Sequence, residues 1–115
     1  MAGTTNIFKM DTVRHKRGST LRIRLPLPFP PQGWTITAQL RGGNIVADFE
    51  VTIIDPADYG AAPETKGMVD LVIPAPATKT WPTRLMHFDF RAEREGEVVY
   101  SQTSGVIVDP EVTQS

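Results

Sequence analysis

The sequence predicts an all-β fold: a single antiparallel β-sandwich of about seven strands. Apolar and polar side chains alternate with a period of two in segment after segment. Ten prolines and nine glycines interrupt the 115 residues, and no ten-residue segment shows sustained helical periodicity. Short strands joined by turns explain all three observations, and a small closed barrel is the alternative arrangement of the same strands.

The alternation is clearest in residues 34–41, where Trp34, Ile36, Ala38 and Leu40 share one face and polar side chains share the other. The other predicted strands are equally rich in the residue types that pleated surfaces prefer. All seven predicted strands are residues 21–25, 34–41, 45–54, 69–73, 86–93, 98–101 and 106–108. The sequence also predicts the largest core side chains, which are Trp34, Phe49, Phe88 and Phe90.

The segments between these strands carry residues typical of turns. The prolines of residues 26–31 should end the first strand because they cannot donate a ladder hydrogen bond. Residues 42–44, Gly-Gly-Asn, suit a hairpin, and residues 95–96, Glu-Gly, suit a second. Residues 55–67 form a longer loop, while residues 75–84 allow one helical turn with Thr78 as its cap.

Composition excludes several classes of protein. With 40% hydrophobic and 22% charged residues, the chain is expected to fold, and its lack of cysteine excludes disulfides and thiolate chemistry. No apolar run reaches the roughly 18 residues of a membrane span, and the first residues do not resemble a secretory signal. We therefore expect no membrane partner, and a layout of N-terminal arm (1–13), sandwich domain (14–109) and C-terminal tail (110–115).

Charge is distributed unevenly along a chain whose formal net charge is −1. Residues 1–24 hold six basic groups and one acid, and the acids predominate in the rest. These charges either line ordinary solvated faces or form a basic end that docks on an acidic neighbour, including a second copy. Because residues 14–17, Arg-His-Lys-Arg, contain no aromatic side chain and the whole chain is slightly acidic, we expect no nucleic-acid partner.

The sequence predicts no catalytic, cofactor-binding or metal-binding residue. Of its two histidines, His87 lies beside Asp89 on an outward face, and this pair alone supplies too few ligands for a metal. His15 lies in a basic cluster that would repel a cation. No serine occupies a Gly-x-Ser-x-Gly turn, and residues 41–44 lack the features of a phosphate-binding loop.

The remaining candidates concern contacts between proteins. Ile7 and Phe8 lie in the N-terminal arm, which either frays or pairs with the sheet edge of a neighbouring chain. Trp81 is either an exposed anchor or a side chain that closes one end of the sandwich. Residues 28–31, Pro-Phe-Pro-Pro, suit a rigid loop or a polyproline ligand. The candidate interface residues are Ile7, Phe8, Arg14, Lys16, Arg17 and Trp81.

A series of short motifs, read in order, resembles a known family. The motifs are residues 17–20 (Arg-Gly-Ser-Thr), 33–35 (Gly-Trp-Thr), 38–41 (Ala-Gln-Leu-Arg), 77–78 (Ala-Thr), 88–90 (Phe-Asp-Phe), 105–108 (Gly-Val-Ile-Val) and 112–113 (Val-Thr). Over residues 14–113 their order is similar to that in small phage and prophage proteins related to the N-terminal domain of baseplate upper proteins.

The resemblance implies an immunoglobulin-like sandwich that is part of a virion assembled in the host cytoplasm. It implies no enzymatic activity and no cofactor. Its partners would be other virion proteins and further copies of itself, in a trimer if it follows fibre symmetry. The leading hypothesis is therefore an adaptor in the tail, baseplate or fibre. The alternatives are a capsid decoration or head-fibre protein, and a free-standing carbohydrate- or protein-binding module with Trp81 and Tyr59 as contacts.

Overall fold

A computed structural model describes residues 12–61, 65–100 and 103–111. Within these ranges the chain forms nine strands, a 3₁₀ turn at Pro56–Tyr59 and a one-turn helix, α1 (Ala75–Thr78). The strands are β1 (Val13–Lys16), β2 (Leu21–Leu27), β3 (Thr35–Gly42), β4 (Ile45–Asp48), β5 (Glu50–Ile54), β6 (Gly67–Ile73), β7 (Leu85–Arg94), β8 (Glu97–Tyr100) and β9 (Ser104–Asp109).

The strands form two sheets packed face to face. The larger sheet has the order β1-β9-β7-β3-β4, with β8 also paired to β7, and the smaller sheet has the order β2-β6-β5. β1 runs parallel to β9, and the other pairs are antiparallel. The predicted all-β sandwich is therefore confirmed.

The predicted third strand, residues 45–54, is wrong in one respect: it is two strands in different sheets. The break lies at Phe49, whose backbone N–H donates to the carbonyl of Ala38 at 3.0 Å while its side chain stays buried. The apolar and polar positions alternate through the break without interruption, so the sequence pattern conceals the change of sheet.

Two further strands differ from the prediction, one in its presence and the other in its end. β1 was not predicted, because its outward side chains are basic and only Val13 and His15 face inward. β2 continues through Pro26, which was expected to end it, and reaches Leu27. Proline is tolerated in β2 because this is an edge strand, on which alternate backbone nitrogens point away from the sheet.

The core lies between the inner faces of the two sheets. Phe49, Phe88 and Phe90 are buried in it, as predicted, and the rings of Phe49 and Phe88 lie 5.7 Å apart. Trp34 differs, because it precedes β3 at one end of the sandwich and is half-buried. Its ring packs on Phe29 at 5.1 Å and carries the Arg94 guanidinium at 4.5 Å. Trp34 therefore contributes to the rim of the core, not to its centre.

Candidate docking surfaces

The basic N-terminal cluster is partly neutralised within the chain. The Arg14 guanidinium donates to both carboxylate oxygens of Asp109, through Nη2 at 2.9 Å and Nε at 3.2 Å. The parallel pairing of β1 with β9 brings these residues together. Lys16 is exposed. Arg14 therefore offers less free charge to a partner than the sequence suggests.

Arg17 joins the same cluster to the end of the described chain. Its Nη2 and Nε donate to the carboxylate of Glu111 at 3.0 and 3.4 Å, and its Nη1 donates to the carbonyl oxygen of Trp81 at 3.3 Å. The Arg17 guanidinium holds the pKa of the Glu111 carboxyl below its usual value. Arg17 therefore links three segments of the chain: the end of β1, the residues after α1 and the residues after β9.

Trp81 is 2% exposed, which corrects the interpretation of this residue as an exposed anchor. Its side chain closes one end of the sandwich, where its ring centroid lies 6.0 Å from that of His15.

The adjacent α1 helix is the predicted helical turn, but Thr78 ends this helix and does not cap its start. The Thr78 hydroxyl accepts from the N–H of Gly18 at 3.0 Å and lies 2.8 Å from the carbonyl of Ser19, to which it donates.

His15 is buried beside Trp81 and its Nε2 atom has no hydrogen-bond partner in the described part of the chain. Burial lowers the pKa of His15 because the cationic form loses hydration, and a backbone hydrogen bond with Ser19 offsets part of this effect. The folded protein therefore holds His15 neutral at a pH where the unfolded chain begins to protonate it.

This difference predicts that the stability depends on pH. The His15 contribution should be complete above the unfolded pKa of about 6.5 and should be lost as pH falls toward the lower pKa of the folded state. We expect the unfolding free energy of the wild type to fall more steeply from about pH 7 to 5 than that of His15→Phe. Urea denaturation of both proteins across this range tests the expectation, and equal slopes would contradict it.

A second surface, the outer face, is the solvent side of the larger sheet. It consists of Thr37, Gln39 and Arg41 on β3, Asp48 on β4, His87, Asp89 and Arg91 on β7, and Tyr100 on β8. Strand pairing places Gln39 between Asp48 and Asp89, and places Arg41 opposite His87. The outer face therefore places two carboxylates beside Gln39, and the Arg41 guanidinium beside His87, on neighbouring strands.

Two adjoining clefts, of about 390 and 120 Å³, open on this outer face and share Gln39, Arg41 and Asp89. Arg41 Nε donates to Gln39 Oε1 at 2.7 Å, and Gln39 Nε2 donates to Asp48 Oδ1 at 3.0 Å. In the described ranges the half-buried Asp89 carboxylate forms no side-chain hydrogen bond or ion pair. The outer face thus presents an anion and the Nη groups of Arg41 to an incoming polar partner.

His87 lies at one side of the smaller cleft and is exposed, as the alternation predicts. Among the described residues, no three His, Cys, Asp or Glu side chains come together as metal ligands. None of the helices in those ranges is long and apolar enough to span a bilayer.

The carbohydrate-binding alternative named Trp81 and Tyr59 as contacts, and the structure separates them. Trp81 is buried, whereas Tyr59 is exposed at the end of the 3₁₀ turn. The guanidinium of Arg24 covers one face of the Tyr59 ring at 3.9 Å, and Arg24 also pairs with Asp70 at 2.8 Å. The two aromatic residues therefore do not form one binding surface.

The sequence interpretation identified His87 and Asp89 as outward residues, but it missed the outer face as a site. Alternation shows which side chains face out, while strand order decides which of them are neighbours. The predicted interface residues Ile7 and Phe8 lie outside the described residues.

Comparison with known proteins supports the fold alone. No family model and no curated protein matches the chain. Among solved structures, the chain is similar to a chicken TCR, with a TM-score of 0.53 and 10% identity over 93% of this chain. The match spans 57% of that TCR chain. Together with the strand order, it shows an immunoglobulin-like β-sandwich.

Proposed function

We propose that this chain is a non-enzymatic structural protein of a bacteriophage, an adaptor in the tail, baseplate or fibre assembly that docks other virion proteins. The observation that carries the proposal is the outer face, where Arg41 and Asp89 offer charges beside Gln39 on the solvent side of the larger sheet. Complementary charges on a partner would fix the orientation of such a contact and speed its formation.

The part of the proposal that concerns a phage particle is based on the sequence. The motif order over residues 14–113 resembles phage and prophage proteins related to the N-terminal domain of baseplate upper proteins. A domain with this role needs an ordered surface and no reacting groups. The described residues supply such a surface, because polar side chains of neighbouring strands lie side by side on one sheet face.

The decisive experiment adds the purified chain to phage particles that lack it and locates it with an antibody in negative-stain images. We expect label at the tail, baseplate or fibre, and we expect Arg41→Glu to reduce binding at least tenfold. Arg22→Glu is the matched control, because it makes the same charge change at an exposed position of the smaller sheet.

Label on the head would replace the adaptor proposal with the capsid alternative. Absence of the chain from purified wild-type particles, measured by mass spectrometry, would overturn both. Equal loss of binding in Arg41→Glu and Arg22→Glu would show that net charge, and not the outer face, controls docking.

A further inference from the structure

β5 is an edge strand with little protection against pairing. Among the described residues it pairs with β6 alone, through five consecutive positions without a bulge. It contains no proline and a single charged residue, Glu50. Ile53 points toward the core side opposite Val69 and is nevertheless 43% exposed. Natural proteins usually protect such an edge, so an unprotected one indicates a place for another strand.

The opposite edge of the smaller sheet shows what protection looks like. β2 carries Arg22 and Arg24 on its outward side and contains Pro26, all of which hinder the addition of a strand. The neighbouring edge strand β4 adds the half-buried Ile45, whereas its exposed Val46 lies opposite Arg41 and belongs to the outer face, away from β5. The β5 edge of the smaller sheet is therefore largely apolar and unprotected, whereas the β2 edge is protected by two arginines and a proline.

The charge around β5 indicates the chemistry of its occupant. Glu50 begins the strand, Asp55 and Asp58 follow it closely, and all three are exposed. An extended segment that is apolar and carries positive charge would complement this edge.

Residues 7–11, Ile-Phe-Lys-Met-Asp, contain three apolar side chains and one cation, Lys9, with the acid Asp11 at their end. If the arm runs parallel to β5 with Lys9 opposite Thr52, the centre of β5, then Phe8 and Met10 lie beside Val51 and Ile53 on the core side. Asp11 then lies opposite Ile54, at the end of β5 away from Glu50. Lys9 then faces outward, diagonal to Glu50 and within reach of its carboxylate. This pairing extends the core and places opposite charges together.

The arm of the same chain cannot reach this position. β1 and β4 are the two ends of the larger sheet, four strand spacings apart, which is about 19 Å. The proposed register places Lys9 on β5, and the four residues from Lys9 to Val13 span about 14 Å at most. β5 follows β4 in the chain and lies in the second sheet, about 10 Å from the first, so Lys9 of the same chain falls short of it. The occupant must therefore come from another molecule.

We propose that residues 7–11 of one copy add as a strand to the β5 edge of a second copy. The contact is heterologous, since arm and edge are different surfaces, and it links copies head to tail. It goes beyond the proposed function and does not depend on it, because self-association is measured without any virion component.

The test uses full-length chains in sedimentation velocity over a range of concentrations. We expect the wild type to associate, and we expect Phe8→Asp and Ile53→Asp each to weaken association at least tenfold while far-ultraviolet dichroism shows them folded. Mixing the two variants should restore dimers, because one keeps its edge and the other keeps its arm. Val46→Asp is the control, since it changes an exposed apolar residue outside β5 and should leave association unchanged.

A charge exchange gives a second readout that preserves the apolar contacts. Glu50→Lys and Lys9→Glu should each weaken association, and a chain carrying both changes should recover it. A wild type that stays monomeric at every concentration would overturn the proposal. So would a mixture of Phe8→Asp and Ile53→Asp that stays monomeric, or a Glu50→Lys, Lys9→Glu chain that does not recover.

Discussion

Replacement of Phe88 with alanine is expected to lower the free energy of unfolding by about 3–5 kcal/mol. Phe88 is 1% exposed and its ring lies 5.7 Å from that of Phe49, so the substitution removes apolar contacts and leaves a cavity. This loss is a large part of the stability of a typical small domain. Equilibrium urea denaturation of both proteins at neutral pH measures it.

Trp34→Ala is the informative control, because Trp34 also presents a large ring but is only half-buried. We expect it to cost distinctly less than Phe88→Ala, since its ring already meets water at the rim. Equal losses in the two variants would show that Trp34 lies in the core after all. An unchanged denaturation midpoint for Phe88→Ala would contradict the assignment of the inner face of β7.

Trp81→Ala is the second change with a large expected effect, again about 3–5 kcal/mol of unfolding free energy. The substitution opens the end of the sandwich and removes the ring packed against His15, although the backbone carbonyl that accepts from Arg17 remains. Trp81→Phe should recover part of the loss because it refills part of the volume. Thermal unfolding of these variants beside Lys79→Ala, an exposed neighbour, provides the comparison.

This second result also decides what a loss of binding in Trp81→Ala would mean. If Trp81 were an exposed anchor, the variant would stay as stable as Lys79→Ala while losing a partner. The structure predicts the reverse, so any loss of binding should accompany a loss of stability. Full stability in Trp81→Ala would contradict the buried position of this side chain.

The two proposed contacts use different parts of the molecule. The outer face belongs to the larger sheet and centres on Arg41 and Asp89, whereas β5 is an edge of the smaller sheet. A partner on the outer face and an arm on β5 should therefore be able to bind the same copy at the same time. Charge variants at Arg41 should leave self-association unchanged, and Ile53→Asp should leave docking of a single copy unchanged.

Several features of this protein follow from the sequence by itself. The period-two pattern determined the strands and their inward faces, as in β7, where Met86, Phe88 and Phe90 are buried and His87 is exposed. Such patterns are local, because successive side chains of any strand point to opposite sides. The all-β class and most of the core were therefore predictable.

Other features were decided by the tertiary structure. The passage from β4 to β5 leaves the alternation intact, so only strand pairing shows that Phe49 divides two sheets. The burial of Trp81, the pairing of Arg14 with Asp109 and the neighbours of Asp89 likewise depend on residues far away in the chain. Local alternation assigns a side chain to a face, but its neighbours depend on strand order and register, which long-range packing sets.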